Sequence, residues 1–389
     1  LLDKKIIEME QEDLEIVTLA ELPELQQKML DGTLEKPKGV ALVQADREGR
    51  RVSEYAGAFL GDALLAADPR QEKYLDVHLS PDGIATVSLQ RIEALNALND
   101  TLLAQIEELF NELSGTGTLQ GRPVRGVILC GADRAFVAGA DVTEFKDNSA
   151  AEITRIAAYN LNIFNSIENL KIPVVALVDG FALGGGNELA MCCHYRIVTE
   201  NALIGQPEVK LGIIPGYGGS QRLPRLVGPK RALEMAVNGE SIDGREAVAI
   251  GLADEFHLSS TALSRAYHVA RQLIDGERIL PARDWDQLAA RQRAELQALL
   301  ENPTVQEIIA APKPIGSAVH DIAAARTYSA QFSIEAIRYG YEHGFRKGLE
   351  NDARLFGEVA ASPSGQEWIG RFISKDPEQS AFLTLLPPD

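Results

Sequence analysis

Apolar and polar positions alternate through YLDVHLS and again through IATVSLQ, and Pro81-Asp82-Gly83 lies between the two runs. This pattern predicts a β-hairpin around a tight turn. Helical spacing follows in DTLLAQIEELFNELS, with Asp100 as the expected N-cap. The Gly-rich GTGTLQGRP is expected to be a flexible loop, and VRGVILCG a short buried strand. Helix AEITRIAAYNLNIFNSIENL then leads to strand IPVVALVDG, and FALGGGNELAMCCH opens another helix. RIVTE and ALIGQPEV read as short strands. Alternating strands and helices of this kind predict a layered α/β core.

The flanking regions read differently. Residues 1–72 form an acidic extension in which LAELPELQQKML and SEYAGAFLGDALLAAD read as short amphipathic helices, separated by the loop GTLEKPKG. Nothing there carries recognisable chemistry, so a packing or oligomer-contact role is expected. The core is placed at 73–257. Residues 258–389 are expected to be a helical C-terminal and oligomerisation region, containing STALSRAYHVARQLIDG, DWDQLAARQRAELQALLENP and IEAIRYGYEHGFRKGLENDARLFGEVAA.

Composition narrows the class without changing this plan. The 389 residues are 45% hydrophobic and 24% charged, which is ordinary for a globular protein. No stretch approaches the roughly 18 to 20 apolar residues of a membrane helix. The start, LLDKKIIEMEQEDLEIV, is acidic and interrupted, unlike a secretory signal. A net charge of −18 argues against nucleic acid and anionic membrane as partners. Cys130, Cys192 and Cys193 form neither a metal spacing nor a disulfide framework, so no metal site is expected and a reducing cytoplasm fits.

Three motifs are candidates for chemistry. In Gly184-Gly185-Gly186-Asn187-Glu188, glycines expose backbone N–H groups at a helix start, a setting suited to an oxyanion. The same run equally permits tight strand–helix packing, with Glu188 as an acid favoured by the helix dipole. Ala138-Gly139-Ala140-Asp141 can present another amide at the C-terminal edge of a sheet, or simply fill a turn. Gln206-Pro207-Glu208 followed by a loop ending in Pro215-Gly216-Tyr217-Gly218-Gly219 reads as a pocket wall, or as an ordinary solvent-facing loop.

Taken together, AFVAGADVTEF, IPVVALVDGFALGGGNELAMCC and IGQPEVKLGIIPGYGGSQRLPRLVG resemble the crotonase family, the enoyl-CoA hydratases and isomerases. QRIEALNALND resembles the family's early CoA-contacting segment, and NGESIDGREAVAIGLADEF the helix and turn after the site. The C-terminal part resembles the end of the hydratase half of the bifunctional fatty acid oxidation proteins. No strand-turn-helix GxGxxG stands in the chain, so no nicotinamide site is implied.

The resemblance implies a crotonase-type ββα superhelical core and a homo-oligomer, trimer or hexamer. It implies an acyl-CoA substrate, with coenzyme A as part of that substrate and no separate cofactor. It assigns the oxyanion donors to the amides of Ala140 and Gly185, acid/base catalysis to Glu188 and Glu208, and water positioning to Gly216. Glu208 is expected to serve C2 and Glu188 to activate water. Ala94, Ala138, Asp141, Val142 and Tyr217 are expected to line the substrate site. The implied activity is enoyl-CoA hydration; an isomerase, or a hydratase or hydrolase acting on a cyclic acyl-CoA, is the alternative, and an assembly subunit without turnover the third. Glu93 and Thr143 stand where many members carry Lys against CoA phosphates, with Lys146, Arg91, Arg346, Lys347 and Arg371 as possible replacements. His194 stands where Asp is usual and is given no catalytic role. Tyr217 replaces a small residue, and packing is its expected role. The N-terminal region and the stretch around Arg283 to Pro312 are additions to the minimal family length.

Overall fold

The computed structural model describes residues 14–18, 39–45, 51–60, 73–280, 283–311 and 322–374. The chain divides into two compact units, Leu1–Lys73 and Tyr74–Asp389. In the first, β1 (Leu14–Thr18) runs parallel to β2 (Gly39–Ala45), which pairs antiparallel with β3 (Arg51–Leu60). The helix expected from Ser53 is therefore corrected: SEYAGAFL lies in β3. Gly57 disfavours a helix interior, Tyr55 and Phe59 suit a strand, and β2 offers a hydrogen-bonding edge. LAELPELQQKML lies outside the described residues.

The second unit opens with the expected hairpin, β4 (Leu75–Leu79) and β5 (Ile84–Leu89), antiparallel around Gly83 at φ +85°. Helix α1 (Asp100–Thr116) is capped by Asn99, not Asp100: the extended backbone at Asn99 lets its side chain accept from Leu102 N–H. The expected flexible loop contains a two-residue hairpin, β6 (Thr118–Leu119) with β7 (Arg122–Pro123). Gln120 and Gly121 both take positive φ there, as a tight hairpin turn requires.

A repeat of two strands and a helix then builds the core. β8 (Gly126–Gly131) is followed by β9 (Ala135–Val137) and α2 (Ala150–Glu168). β10 (Val174–Val178), β11 (Phe181–Leu183) and α3 (Gly185–Cys192) repeat the pattern, and β12 (Tyr195–Val198) and β13 (Leu203–Gly205) begin it again. First strands enter a six-stranded sheet ordered β15-β12-β10-β8-β5-β4, where β15 is Glu255–Phe256. Second strands enter a four-stranded sheet ordered β14-β13-β11-β9, where β14 is Ser241–Asp243. The ββα superhelical core implied by the resemblance is thus present.

Side-chain alternation explains why the large sheet is buried on both faces. Ile128, Val175, Leu177 and Ile197 pack against Ala262, Ala266 and Val269 of α7 (Ser259–Ile274). Their neighbours Val127, Leu129, Val174 and Ala176 point into the main core with α1 and α2. Between β13 and β14 lie α4 (Gly219–Val227) and α5 (Pro229–Asn238), and α6 (Gly244–Ala249) follows β14.

The remaining chain is helical: α8 (Trp285–Leu300), α9 (Pro303–Ala310), α10 (Ile322–His343), α11 (Phe345–Ala360) and α12 (Pro363–Ile373). The stretch from Arg283 forms α8 and α9, and Ala289 and Leu296 of α8 pack on Leu233 of α5 and Ile334 and Ile337 of α10. Among the described residues no helix is long and apolar enough to cross a membrane.

Helices α10 and α11 meet at glycines. A Cβ on Gly348 would lie 2.4 Å from Gln221 Oε1 and 2.9 Å from the Gly340 backbone. Gly348→Ala is expected to cost about 1–3 kcal/mol by overpacking this crossing, read as a lower urea midpoint at unchanged slope.

Candidate active site

Two glycines and one left-handed turn set the first part of the site. Gly186 sits where no Cβ fits: one would lie 2.0 Å from the Val137 carbonyl oxygen. This contact presses the start of α3 onto the end of β9. Gly184, at φ +51°, turns the chain from β11 into α3 and leaves Gly185 as the first helical residue, whose N–H has no acceptor within the helix. Beside it, Ala140 is bridged to Leu98. The bonds run from Leu98 N–H to the Gly139 carbonyl (2.9 Å) and from Asp141 N–H to the Leu98 carbonyl (2.8 Å), so neither uses the Ala140 N–H. A Cβ on Gly185 would stand 3.4 Å from the Ala140 nitrogen, so the two amides border one spot.

Glu188 lies one turn into α3 and is buried. Its Oε1 accepts from the N–H groups of Tyr217 (2.8 Å) and Gly219 (2.6 Å). Burial pushes its pKa up to about 7, against the pull of those two amides and of the Arg222 guanidinium. Arg222 donates to the Tyr217 carbonyl (3.3 Å) and is itself held by Glu168 (2.9 Å) and Asn165 (2.7 Å) of α2.

Glu208, expected at the end of a strand, instead begins a 3-10 helix, Glu208–Leu211, which Gly212 ends at φ +66°. With its NH2 turned towards Glu208, the Gln206 carboxamide donates to both carboxylate oxygens at 2.8 and 3.2 Å. Burial, and after it the charge on Glu188, pushes the Glu208 pKa well above the usual carboxylate range. The two acids thus differ in surroundings: backbone amides stabilise charge on Glu188, whereas Glu208 is favoured as the neutral acid.

All ten residues singled out for the site border one cavity of about 490 Å³: Ala94, Ala138, Ala140, Asp141, Val142, Gly185, Glu188, Glu208, Gly216 and Tyr217. Their chemical roles remain those the resemblance implies. The structure adds Phe145, Leu211, Ile213, Ile214, Phe356 and Phe372 as apolar walls. Phe145 and Phe356 meet edge to face at 5.1 Å. Helical periodicity marks Phe356 as buried but gives no sign that it reaches Gly216, where a Cβ would stand 2.7 Å from its ring. Arg222 was also missed; its only signal is a charge on the buried face of α4.

Glu93 and Thr143 border the cavity too. Of the basic residues considered in their place, Arg91 is committed to Asp141 (2.8 Å) and the Ala97 carbonyl (2.9 Å), and Lys146 is paired with Asp147 (2.8 Å). Arg371 is paired with Glu367 (2.6 Å), and the exposed Arg346 lies 3.6 Å from Glu350. His194 accepts from Val174 N–H (2.9 Å) at Nδ1, which leaves Nε2 to donate to the Glu168 carbonyl (3.0 Å). Burial depresses its pKa, so it stands as a neutral tie between β10 and the end of α2. Tyr217 packs edge to face with Phe164 (5.7 Å), and its hydroxyl is buried towards Asn160 of α2.

Against this geometry, the sequence model of a family described as enoyl-CoA hydratase/isomerase matches residues 80–306. The chain belongs to that family, the crotonase family. It is 40% identical over 201 residues to a short-chain-enoyl-CoA hydratase of Clostridium acetobutylicum, an alignment covering 51% of this chain and 75% of that protein. It is 31% identical over 314 residues to the fatty acid oxidation complex subunit alpha of Idiomarina loihiensis. That alignment takes in 76% of this chain, whereas the chain spans only 40% of the length of that longer relative. In fold it is similar to a carnitinyl-CoA dehydratase from Mycobacterium thermoresistibile, with a TM-score of 0.60 at 23% identity, covering 78% of this chain and 90% of that one.

A carboxyl whose pKa is raised by folding binds its proton more tightly in the folded chain. The stability it contributes is full below 4.5 and is lost as pH rises through about 7 for Glu188. Glu188→Gln is expected to melt above wild type near pH ~8, with the advantage shrinking as pH falls through ~5; scanning calorimetry across that range measures it. Tyr217→Phe, which removes a buried hydroxyl beside Asn160, is expected to change stability by less than about 1 kcal/mol, read in the same calorimetry.

Proposed function

We propose that the protein is an enoyl-CoA hydratase, adding water across the 2,3 double bond of an acyl-CoA thioester. The observation that carries this is the pair of buried carboxylates in one cavity, one braced by amides for charge and the other favoured as an acid. Addition of water needs both states at once: a base for the water proton and an acid for C2.

In this reading the thioester oxygen lies between the N–H groups of Ala140 and Gly185. Glu188 takes a proton from water while the water oxygen bonds to C3. The electron pair of the double bond shifts onto the thioester oxygen as an enolate, where each preorganised donor contributes about 3–4 kcal/mol. Collapse of the enolate draws the proton of Glu208 onto C2. The cycle ends with Glu188 protonated and Glu208 charged, and a proton passed from one to the other through solvent restores the start. Gly216 is assigned the role of holding the water by its amide. Homo-oligomeric assembly, as a trimer or hexamer, belongs to the same reading and is checked by light scattering.

The relatives' names agree with this assignment: one is a short-chain-enoyl-CoA hydratase and another forms part of a fatty acid oxidation complex. Crotonyl-CoA, followed at its enoyl-thioester absorbance with the product identified by mass, tests it. Glu188→Gln and Glu208→Gln are each expected to lower kcat by about 10²–10⁴. A shifted double bond as the product would replace hydration by isomerisation. Wild type that binds crotonyl-CoA without turnover would exclude hydration of so short an acyl group.

A further inference from the structure

Helix α12 supplies no acid, base or oxyanion donor, yet it holds segments that do. Its residue Gln366 spends its whole carboxamide on backbone. Nε2 donates to the Phe145 carbonyl (2.8 Å) and the Ala360 carbonyl (2.9 Å), and Oε1 accepts from Asp147 N–H (2.6 Å). Phe145 ends the 3-10 helix Val142–Phe145, which begins two residues after Ala140, and Asp147 sits at φ +61° just beyond it. This short segment carries the Ala140 amide at one end and the cavity wall Phe145 near the other, with the left-handed Asp147 donating its N–H to Gln366. Farther along α12, Trp368 covers Gly212, the residue that ends the 3-10 helix of Glu208; a Cβ there would stand 3.1 Å from the Trp368 ring. One helix therefore grips both the segment after Ala140 and the segment after Glu208.

We propose that Gln366 is a positioning residue for the reaction, fixing the Ala140 segment through its bonds to the Phe145 carbonyl and the Asp147 N–H, with its third bond anchoring it to Ala360 of α11, so that the Ala140 N–H stays aimed at the thioester oxygen. The inference rests on the hydratase reading above. Oxyanion donors act only when held close to the productive geometry, so a clamp on the far end of this short segment is felt at its start. Nothing in the α12 sequence marks this role, because the partners are backbone atoms 219 and 221 residues away.

The test uses Gln366→Met and, independently, Gln366→Leu, which keep the bulk of the side chain and remove all three bonds. Ser362→Ala is the control: it deletes the N-cap of α12, the Ser362 Oγ that accepts from Gly365 N–H at 3.0 Å, and leaves Gln366 its partners. Two quantities are read besides the melting temperature. One is kcat and KM on crotonyl-CoA. The other is the red shift of cinnamoyl-CoA absorbance on binding, which reports polarisation of the thioester carbonyl and needs no turnover.

The Gln366 variants are expected to lose about tenfold or more in kcat with KM within about twofold, as for an interaction felt mainly in the transition state, and to show a smaller red shift. Ser362→Ala is expected to melt lower with kcat and the red shift at wild-type values. An undiminished red shift and kcat in folded Gln366 variants would overturn the proposal alone. So would an equal loss in Ser362→Ala, since general loosening of α12 would then explain it. Wild type that binds cinnamoyl-CoA with no red shift would overturn the hydratase reading together with this one.

Discussion

Two carboxyl groups are buried beside one another in a largely apolar cavity, and much of the surrounding structure offsets the cost of a charge on one of them. Among the described residues Glu188 makes no ion pair; its charge is met by the N–H groups of Tyr217 and Gly219. Those amides converge because the Pro215–Gly219 turn is tight, and Arg222 holds that turn from behind through the Tyr217 carbonyl. Arg222 is in turn fixed by Glu168, which also accepts from the Trp285 indole (3.1 Å). Taking an Arg–Glu pair out of water is costly, and it is sustained here because hydrogen bonds satisfy both ions. The same logic reaches His194, whose neutral ring binds the backbone carbonyl of that same Glu168.

The sequence disclosed the elements better than it disclosed their edges. Strands β8 and β10 were legible as apolar runs, because a sheet buried on both faces has no polar face to alternate with. Asn99 was hidden as a cap because Asp100, its neighbour, is as good a capping residue; only the extended backbone at Asn99 decides between them. In the N-terminal unit, SEYAGAFL carries alanines that favour a helix beside a glycine and aromatics that do not, and its pairing with β2 settles the matter. Tertiary contact outweighs local propensity in such segments.

For the candidate site the division follows chemistry. Glycines, carboxylates and amide-presenting turns are local and stood in a recognisable order, and all ten predicted residues border the cavity. The apolar walls were not legible. Phe145 and Phe356 look like any core residues, and they meet only because α11 packs along α2 beside the short helix that follows Ala140. Arg222 was unreadable for a related reason: its function is to bind a carbonyl oxygen, and every residue has one.

The close approach at Gly186 has a further consequence. Because the start of α3 is wedged against the Val137 carbonyl, the segments bearing the Ala140 and Gly185 amides cannot drift apart independently. Close-packed interiors deform as blocks and not atom by atom, so these two donors behave as one rigid part. Two of the cavity's apolar walls, Phe356 and Phe372, come from elsewhere, in α11 and α12, which are attached to that part by side chains. A substitution in α11 or α12 can therefore reshape the cavity wall while the spacing of the Ala140 and Gly185 amides stays as it is.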